Sequence, residues 1–327
     1  MFLSSNTDTL PDSRDFIQIH RSDPQAVHAE LNAGLLAPQA SVSPKYLYDA
    51  LGSKLFEAIC ELPEYYPTRT EAAIIDRHLS DIARVTGRGM TLIDLGAGNC
   101  AKAARLFPAL QPAQYVPIDI SVDFLRDAVR RLRQQASHVR MIGLGMDFSS
   151  SLELPDAVGR DKRLFFFPGS SIGNFTPEQA VGLLQRVHAA CGPDGGLLIG
   201  VDLLKDRQAL DAAYDDALGV TASFNRNLLC HLNRLLDADF DLRQWRHRGA
   251  FNEEHSRIEM HLESGCSTRV SWRGGRRHFL PGESIHTESS YKYTRHGFLH
   301  LLDRSGFGAV RTWTDERGWF MVCHARA

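Results

Sequence analysis

The residues best suited to chemistry begin where Thr91-Leu92-Ile93-Asp94 runs into Leu95-Gly96-Ala97-Gly98-Asn99-Cys100. An apolar strand ending in an acid and a Gly-x-Gly turn lets backbone approach a nucleotide-like ligand closely, and the helix that follows presents free N–H groups to it. Tyr115-Val116-Pro117-Ile118-Asp119 reads as a second strand. It ends in a carboxylate about 20 residues beyond the glycines, where such folds grip a ribose. Met146-Asp147-Phe148 closes a third strand with an acid beside a ring. The acid suits an adenine amino group, and the ring suits the adenine face.

Gly96 to Ala101 also satisfies the Gly-x-Gly-x-x-Gly/Ala dinucleotide fingerprint, so NAD is a rival ligand and a purely structural tight turn a third reading. Asp94 favours a methyl donor. A carboxylate there faces a pyrophosphate unfavourably but suits the cationic amine of an S-adenosylmethionine tail. Asp119 does not discriminate, since both ligands carry ribose hydroxyls. Taken together, these residues look like the S-adenosylmethionine site of a class I methyltransferase.

The elements that must position them alternate as a parallel α/β sheet requires. Strands are expected at Thr91–Leu95, 115–118, 140–144, Arg163–Phe167 and 196–201. Ser121 stands where it would cap the helix after the second strand, Thr176-Pro177-Glu178-Gln179 is a strong helix start, and Gly192 is placed to end that helix. Upstream, helical spacing runs from Tyr46 to Ile59, and Pro63 and Pro67 break it. Thr68 and Glu71 read as a capping box for a new helix lined by Ile75, Leu79 and Ile82.

After Leu203 the rhythm changes. Residues 204–245 read as helices, whereas 257–263, 268–272 and 285–293 alternate like antiparallel strands. A helix at 297–305 and a strand at 318–325 follow. The expected architecture is α/β, a class I methyltransferase Rossmann-like sheet with an inserted α+β substrate-binding domain. The boundaries are 69–203 plus 294–327 for the cofactor-binding domain, and 1–68 plus 204–293 for the substrate-binding domain.

Bulk properties exclude several classes. With 43% hydrophobic and 23% charged residues among 327, the chain is an ordinary soluble one. A net charge of −2 gives no global attraction to nucleic acid or to an anionic membrane. The basic run from Arg126 to Arg133 reads as a solvated helix face over the buried stripe Leu125, Val129 and Leu132. Six scattered cysteines without a Cys-x-x-Cys pair suggest reduced thiols, with no disulfide framework and no metal site. Met1-Phe2-Leu3-Ser4-Ser5 lacks the basic start of a signal peptide, and no stretch approaches the roughly 20 apolar residues of a membrane span. A cytoplasmic monomer is expected.

Further runs go beyond the generic fold. They include Tyr48-Asp49-Ala50-Leu51-Gly52-Ser53-Lys54-Leu55-Phe56, Leu62-Pro63-Glu64-Tyr65-Tyr66-Pro67-Thr68-Arg69, and Gly169-Ser170-Ser171-Ile172-Gly173-Asn174-Phe175. Ala213-Tyr214-Asp215-Asp216, Phe224-Asn225-Arg226-Asn227, Ile258-Glu259-Met260 and Thr287-Glu288-Ser289-Ser290 follow in order. This set resembles the L-histidine Nα-methyltransferase family of ergothioneine biosynthesis, from about Tyr46 to the C-terminus.

The resemblance implies an enzyme that methylates the α-amine of histidine three times to give hercynine. Tyr48, Gly96, Lys102, Asp119, Asp147 and Phe148 would contact S-adenosylmethionine. Tyr65, Asn174 and Tyr214 would hold the substrate amine and carboxylate, with Tyr65 and Asn174 nearest the chemistry. Glu288 and Ser290 would hold the imidazole, and Met260 would pack nearby. Tyr65 or a water would take the amine proton, with no dedicated base.

Two residues apart on a strand, Glu288 and Ser290 share a face and can pair with both imidazole nitrogens. By pattern alone they read as exposed strand residues. The chain departs from the family at Asp94, where glutamate is common, at Pro168, and at Tyr291 and Tyr293 beside Lys292. The remaining alternatives are a relative acting on another amino acid or small amine, a silent S-adenosylmethionine-binding module, and an NAD-dependent oxidoreductase.

Overall fold

The computed structural model describes residues 15–19 and 23–327. The reading of residues 1–5 as lacking a signal peptide lies outside the described residues.

Apolar runs rich in β-branched and aromatic residues build the centre of a large sheet. From one edge, its order is Phe16–Gln18, Gly143–Gly145, Gln114–Asp119, Thr91–Leu95, Arg163–Phe167, Gly196–Asp202, Phe320–Arg326 and Gly308–Thr314. The strands from Phe16–Gln18 through Gly196–Asp202 run parallel, and Phe320–Arg326 is antiparallel to both of its neighbours. Every residue of Thr91–Leu95 and of Gly196–Asp202 is buried, which is why both read as near-continuous apolar strings. The chain order reverses at Thr91–Leu95, so a crevice opens at its carboxyl end.

Two apolar layers cover the sheet. One is built on Ile93, Phe165 and Leu183, the other on Leu92, Tyr115 and Leu125. Thr176 and Gln179 form the capping box that starts the Pro177–Cys191 helix, and Gly192 is its C-cap. Ser121 occupies the N-cap of Val122–Gln135, but its hydroxyl donates to the Tyr48 carbonyl at 2.9 Å rather than capping the helix. The strand expected at 140–144 is two short pieces, Arg140–Met141 and Gly143–Gly145.

The helix expected from Thr68 begins earlier, at Tyr66, with Tyr65 as N-cap and Pro67 in its first turn. Thr68 is therefore inside the helix. Glu71 forms no capping box; it is buried and turned toward the crevice.

A second sheet has the order Ala40–Ser41, Ser284–Tyr291, Arg257–Ser264 and Trp245–Asn252, flanked by the hairpin Thr268–Trp272 and Gly275–Phe279. Its core joins Leu31, Tyr65 and Tyr66 from the N-terminal part to Leu228, Met260 and Ile285. Helices Ala50–Cys60 and Val220–Leu236 pack within it. The strands Trp245–Asn252, Gly275–Phe279 and Gly308–Thr314 were not expected from the sequence. In the first, Arg246, His247 and Arg248 interrupt any apolar alternation. His247 nevertheless faces inward, paired with Asn225 at 2.9 Å and with the Tyr214 carbonyl at 2.9 Å. Phe16–Gln18, from the segment assigned to the substrate-binding part, instead extends the large sheet beside Gly143–Gly145.

Among the described residues no helix is long and apolar enough to cross a membrane. All six cysteines are free thiols. Burial pushes Cys100, Cys191 and Cys323 up to about 12.

Candidate active site

A cavity of about 1320 Å³ lies over the crevice at the carboxyl ends of the parallel strands. That exceeds the ~300–1,000 Å³ of ordinary small-ligand pockets. Tyr48, Gly96, Lys102, Asp119, Asp147 and Phe148 all line it. Gly96 has φ +71°, the left-handed conformation that the turn needs. Asp119 accepts from the Gly98 N–H and the Ser121 N–H, each at 2.9 Å. A carboxylate offers about four acceptor positions, so Asp119 can accept from more than these two N–H groups. Asp147 is held by the Ser149 N–H at 3.0 Å, and Phe148 stacks edge-on against Phe167 with 5.6 Å between centroids. Among the described residues neither Asp119 nor Asp147 is ion-paired, which suits a cationic ligand carrying ribose and adenine.

Asp94 behaves differently from the sequence expectation. It is buried beneath the turn, does not line the cavity, and accepts from the Tyr115 hydroxyl at 2.8 Å. Burial lifts its carboxyl to about 7, against the pull of Tyr115 and Lys102. It is tied to the neighbouring strand through Tyr115, while its other oxygen, Oδ1, is buried without a partner among the described residues. Lys102, expected to meet the cofactor, donates to Glu71 at 2.8 Å, and Glu71 also accepts from the Gly169 N–H at 2.8 Å. Glu71 is thus a site residue that its apparent place in a capping box concealed.

A smaller pocket adjoins this cavity through a common wall of Tyr48, Phe56, Tyr65, Gly169, Ser171 and Asn174. Tyr65, Asn174, Tyr214, Met260, Glu288 and Ser290, spread over 226 positions from 65 to 290, all line it. Tyr65 comes from the turn before the Tyr66–Thr86 helix, and Asn174 from the short turn Ser171–Asn174 after Arg163–Phe167. Tyr214 ends the helix Arg207–Tyr214. Met260 and Glu288 are opposite one another on paired strands.

Glu288 and Ser290 are only 7% and 4% exposed, so the reading of them as exposed strand residues is overturned. Burial raises the Glu288 carboxyl to about 7, with Lys292 pulling the other way. Burial also holds the Tyr48 and Tyr65 phenols well above their ordinary range, so both stay protonated near neutral pH.

Three contributors were not assigned a place from the sequence. Phe56 and Phe224 stand against the Tyr48 ring at 5.6 and 5.5 Å, and Thr221 joins the pocket wall. The Phe224-Asn225-Arg226-Asn227 run holds this side together. Asn227 donates to Asp49 at 2.7 Å, Asn225 to the His261 carbonyl at 3.1 Å, and Arg226 to the Leu242 carbonyl at 2.9 Å. Among the described residues no cluster of three or more His, Cys, Asp or Glu is placed to hold a metal.

The sheet order, its antiparallel Phe320–Arg326 strand, and a glycine-turn cavity fitted to a nucleoside cation define a class I S-adenosylmethionine-dependent methyltransferase. Residues 27–327 match the family described as histidine-specific methyltransferase, SAM-dependent, and the chain belongs to that family. It is 38% identical to the histidine N-alpha-methyltransferase of Mycolicibacterium smegmatis, over 90% of this chain and 93% of that protein. The histidine N-alpha-methyltransferase of Mycobacterium tuberculosis matches at 38%, again over 90% and 93% of the two chains. Ergothioneine biosynthesis protein 1 of Neurospora crassa is 30% identical over 86% of this chain and 33% of that protein.

Proposed function

We propose that the protein transfers methyl groups from S-adenosylmethionine to the α-amine of L-histidine, three times in all, giving hercynine for ergothioneine biosynthesis. The observation that carries this reading is the buried pair Glu288 and Ser290 in a pocket sharing a wall with the glycine-turn cavity. A carboxylate and a hydroxyl on one strand face match the two nitrogens of an imidazole. The family membership and the two mycobacterial relatives support the same substrate.

When bound, the methyl donor supplies an electrophilic methyl carbon on a sulfonium. In this reading Asp119 holds its ribose, Asp147 and Phe148 its adenine, and Gly96, Tyr48 and Lys102 its remaining edges. Glu288, Ser290 and Met260 fix the histidine side chain at the far end of the pocket. Tyr65 and Asn174 on the common wall, and Tyr214 beside Ser290, hold the amine and carboxylate. Positioning of this kind can remove several kcal/mol of barrier, up to about 7–11 in favourable cases. Tyr65 stays a neutral phenol, so its oxygen accepts an N–H and aims the lone pair. The amine proton leaves to solvent or to a site water, not to tyrosinate. The rings of Tyr48, Phe56, Tyr65 and Phe224 cluster edge-to-face or tilted, with centroids 5.5 to 6.1 Å apart. Such faces tolerate a growing ammonium cation through cation–π attraction.

The same reading divides the chain into a cofactor-binding domain, 69–203 plus 294–327, and a substrate-binding domain, 1–68 plus 204–293, with Phe16–Gln18 lent to the first. It describes a cytoplasmic monomer that needs no metal, nucleic acid or membrane. The net charge of −2, which gives no global attraction to nucleic acid or to an anionic membrane, supports the last two. The test is mass spectrometry of free histidine incubated with the protein and excess S-adenosylmethionine. A product heavier by three methyl groups is expected. Unmodified histidine, from protein that binds the donor, would reject the substrate.

A further inference from the structure

Behind Ser290 and Tyr214 lies a buried charged cluster to which methyl transfer as described gives no task. Lys292 is 3% exposed. It donates to Asp202 at 2.8 Å, to the Tyr214 hydroxyl at 3.0 Å and to Ser290 Oγ at 2.9 Å. An ammonium has three N–H donors, and all three are spent inside the protein. Asp202 is fully buried and also accepts from the Tyr66 hydroxyl at 2.8 Å and from Lys205 at 2.5 Å. Burial pulls the Lys292 ammonium down, but Asp202 outweighs it and holds the lysine above its ordinary range. Buried ion pairs of this kind are a poor source of stability, because desolvation offsets their attraction. Their value here is in the direction of hydrogen bonds.

The Ser290 hydroxyl has two acceptor positions and one proton. Lys292 fills one acceptor position, and the Tyr214 hydroxyl fills the other at 2.9 Å. Only the proton remains to meet a ligand. Glu288, on the same strand face, is an acceptor when ionised. We infer that Lys292, held by Asp202, is a positioning residue that makes Ser290 an obligatory donor. The pocket then selects one neutral imidazole tautomer, its bare nitrogen toward Ser290 and its N–H toward Glu288. An imidazolium would press a second N–H against an oxygen with no lone pair free. This inference rests on the histidine reading.

The test compares Lys292→Met, Ser290→Ala and the double variant in steady-state kinetics with L-histidine. Each single change should raise the KM for histidine about tenfold, the loss of one charge-assisted hydrogen bond, with the KM for S-adenosylmethionine unchanged. The double variant should be no worse than Ser290→Ala alone, since Lys292 acts through Ser290. Additive losses, or an unchanged histidine KM in Lys292→Met, would overturn the assignment.

Should Lys292→Met fail to fold, nitrogen NMR of ring-labelled histidine bound to the wild-type protein with S-adenosylhomocysteine answers the same question. One bare and one protonated nitrogen, in a single tautomer, are expected. Two protonated nitrogens or averaged tautomers would overturn it. A wild-type protein that neither binds nor methylates histidine would instead reject the substrate reading.

Discussion

Glu71 and Lys102, 31 residues apart, meet at 2.8 Å beside the glycine-turn cavity, with Glu71 almost wholly buried. Gly200 makes room for that carboxylate: a Cβ there would stand 1.9 Å from Glu71 Oε1. The pair ties the Tyr66–Thr86 helix to the glycine turn and, through the Gly169 N–H, to the turn that carries Asn174. Glu71→Gln should therefore weaken S-adenosylmethionine binding about tenfold. Gly200→Ala should do the same without removing any polar group, by expelling the carboxylate. Isothermal titration of both variants checks this, and an unchanged Kd in both would show that the pair is not part of the cofactor site.

Asp119→Ala removes the acceptor for the Gly98 and Ser121 N–H groups as well as the proposed partner of the ribose. The expected rise in the S-adenosylmethionine Kd is roughly 10- to 100-fold, the range for hydrogen bonds to a charged group. At saturating donor the KM for histidine should stay within about twofold of wild type. A loss confined to histidine would mean that Asp119 serves the other pocket.

Glu288 carries a pH signature. Its folded-state carboxyl is raised to about 7 from 4.5, so below about 7 it is neutral and no longer a charged acceptor. Histidine kcat/KM should fall as pH drops through about 7, and Glu288→Gln should lose that limb, retaining only the titration of histidine itself. Stability runs the opposite way. A raised carboxyl contributes stability below its unfolded value of 4.5 that is lost as pH rises through about 7. Ligand-free Glu288→Gln should thus melt higher than wild type at pH 8 and alongside it at pH 4. Identical melting at pH 8 would mean that Glu288 is not desolvated.

Tyr65→Phe separates aiming from proton transfer. Burial holds the phenol protonated, well above its ordinary range, so the variant should lower kcat about tenfold and leave in place the limb on which the rate rises with pH. Disappearance of that limb would make Tyr65 the base.

Much of the glycine-turn cavity was readable locally. Thr91–Leu95, Asp119 and Asp147-Phe148 announce themselves because parallel strands are buried on both faces and end at the crevice. That the residues of the smaller pocket belong together was readable only through family resemblance. Glu288 and Ser290 alternate with other residues as surface positions do, and their burial is imposed by Tyr214, Met260 and the Ser171–Asn174 turn, all distant in sequence. Glu71 was misread because a capping box is a local pattern, whereas its partners Lys102 and Gly169 lie 31 and 98 residues away. Asp202 and Lys292 are 90 residues apart and meet across the two sheets, a pairing with no local signal.

The two ends of the large sheet bear on how the protein behaves at high concentration. An open sheet offers unpaired backbone at its borders, where other chains can add strands and aggregate. Among the described residues, one border strand, Phe16–Gln18, is three residues long. The other, Gly308–Thr314, changes register between Gly308 and Arg311, and both Arg311 and Trp313 bond to Asp81 at 2.9 and 2.8 Å. A short border and a bulged, side-chain-clamped one give a passing strand little to zip onto, so this broad sheet carries its own protection against self-association.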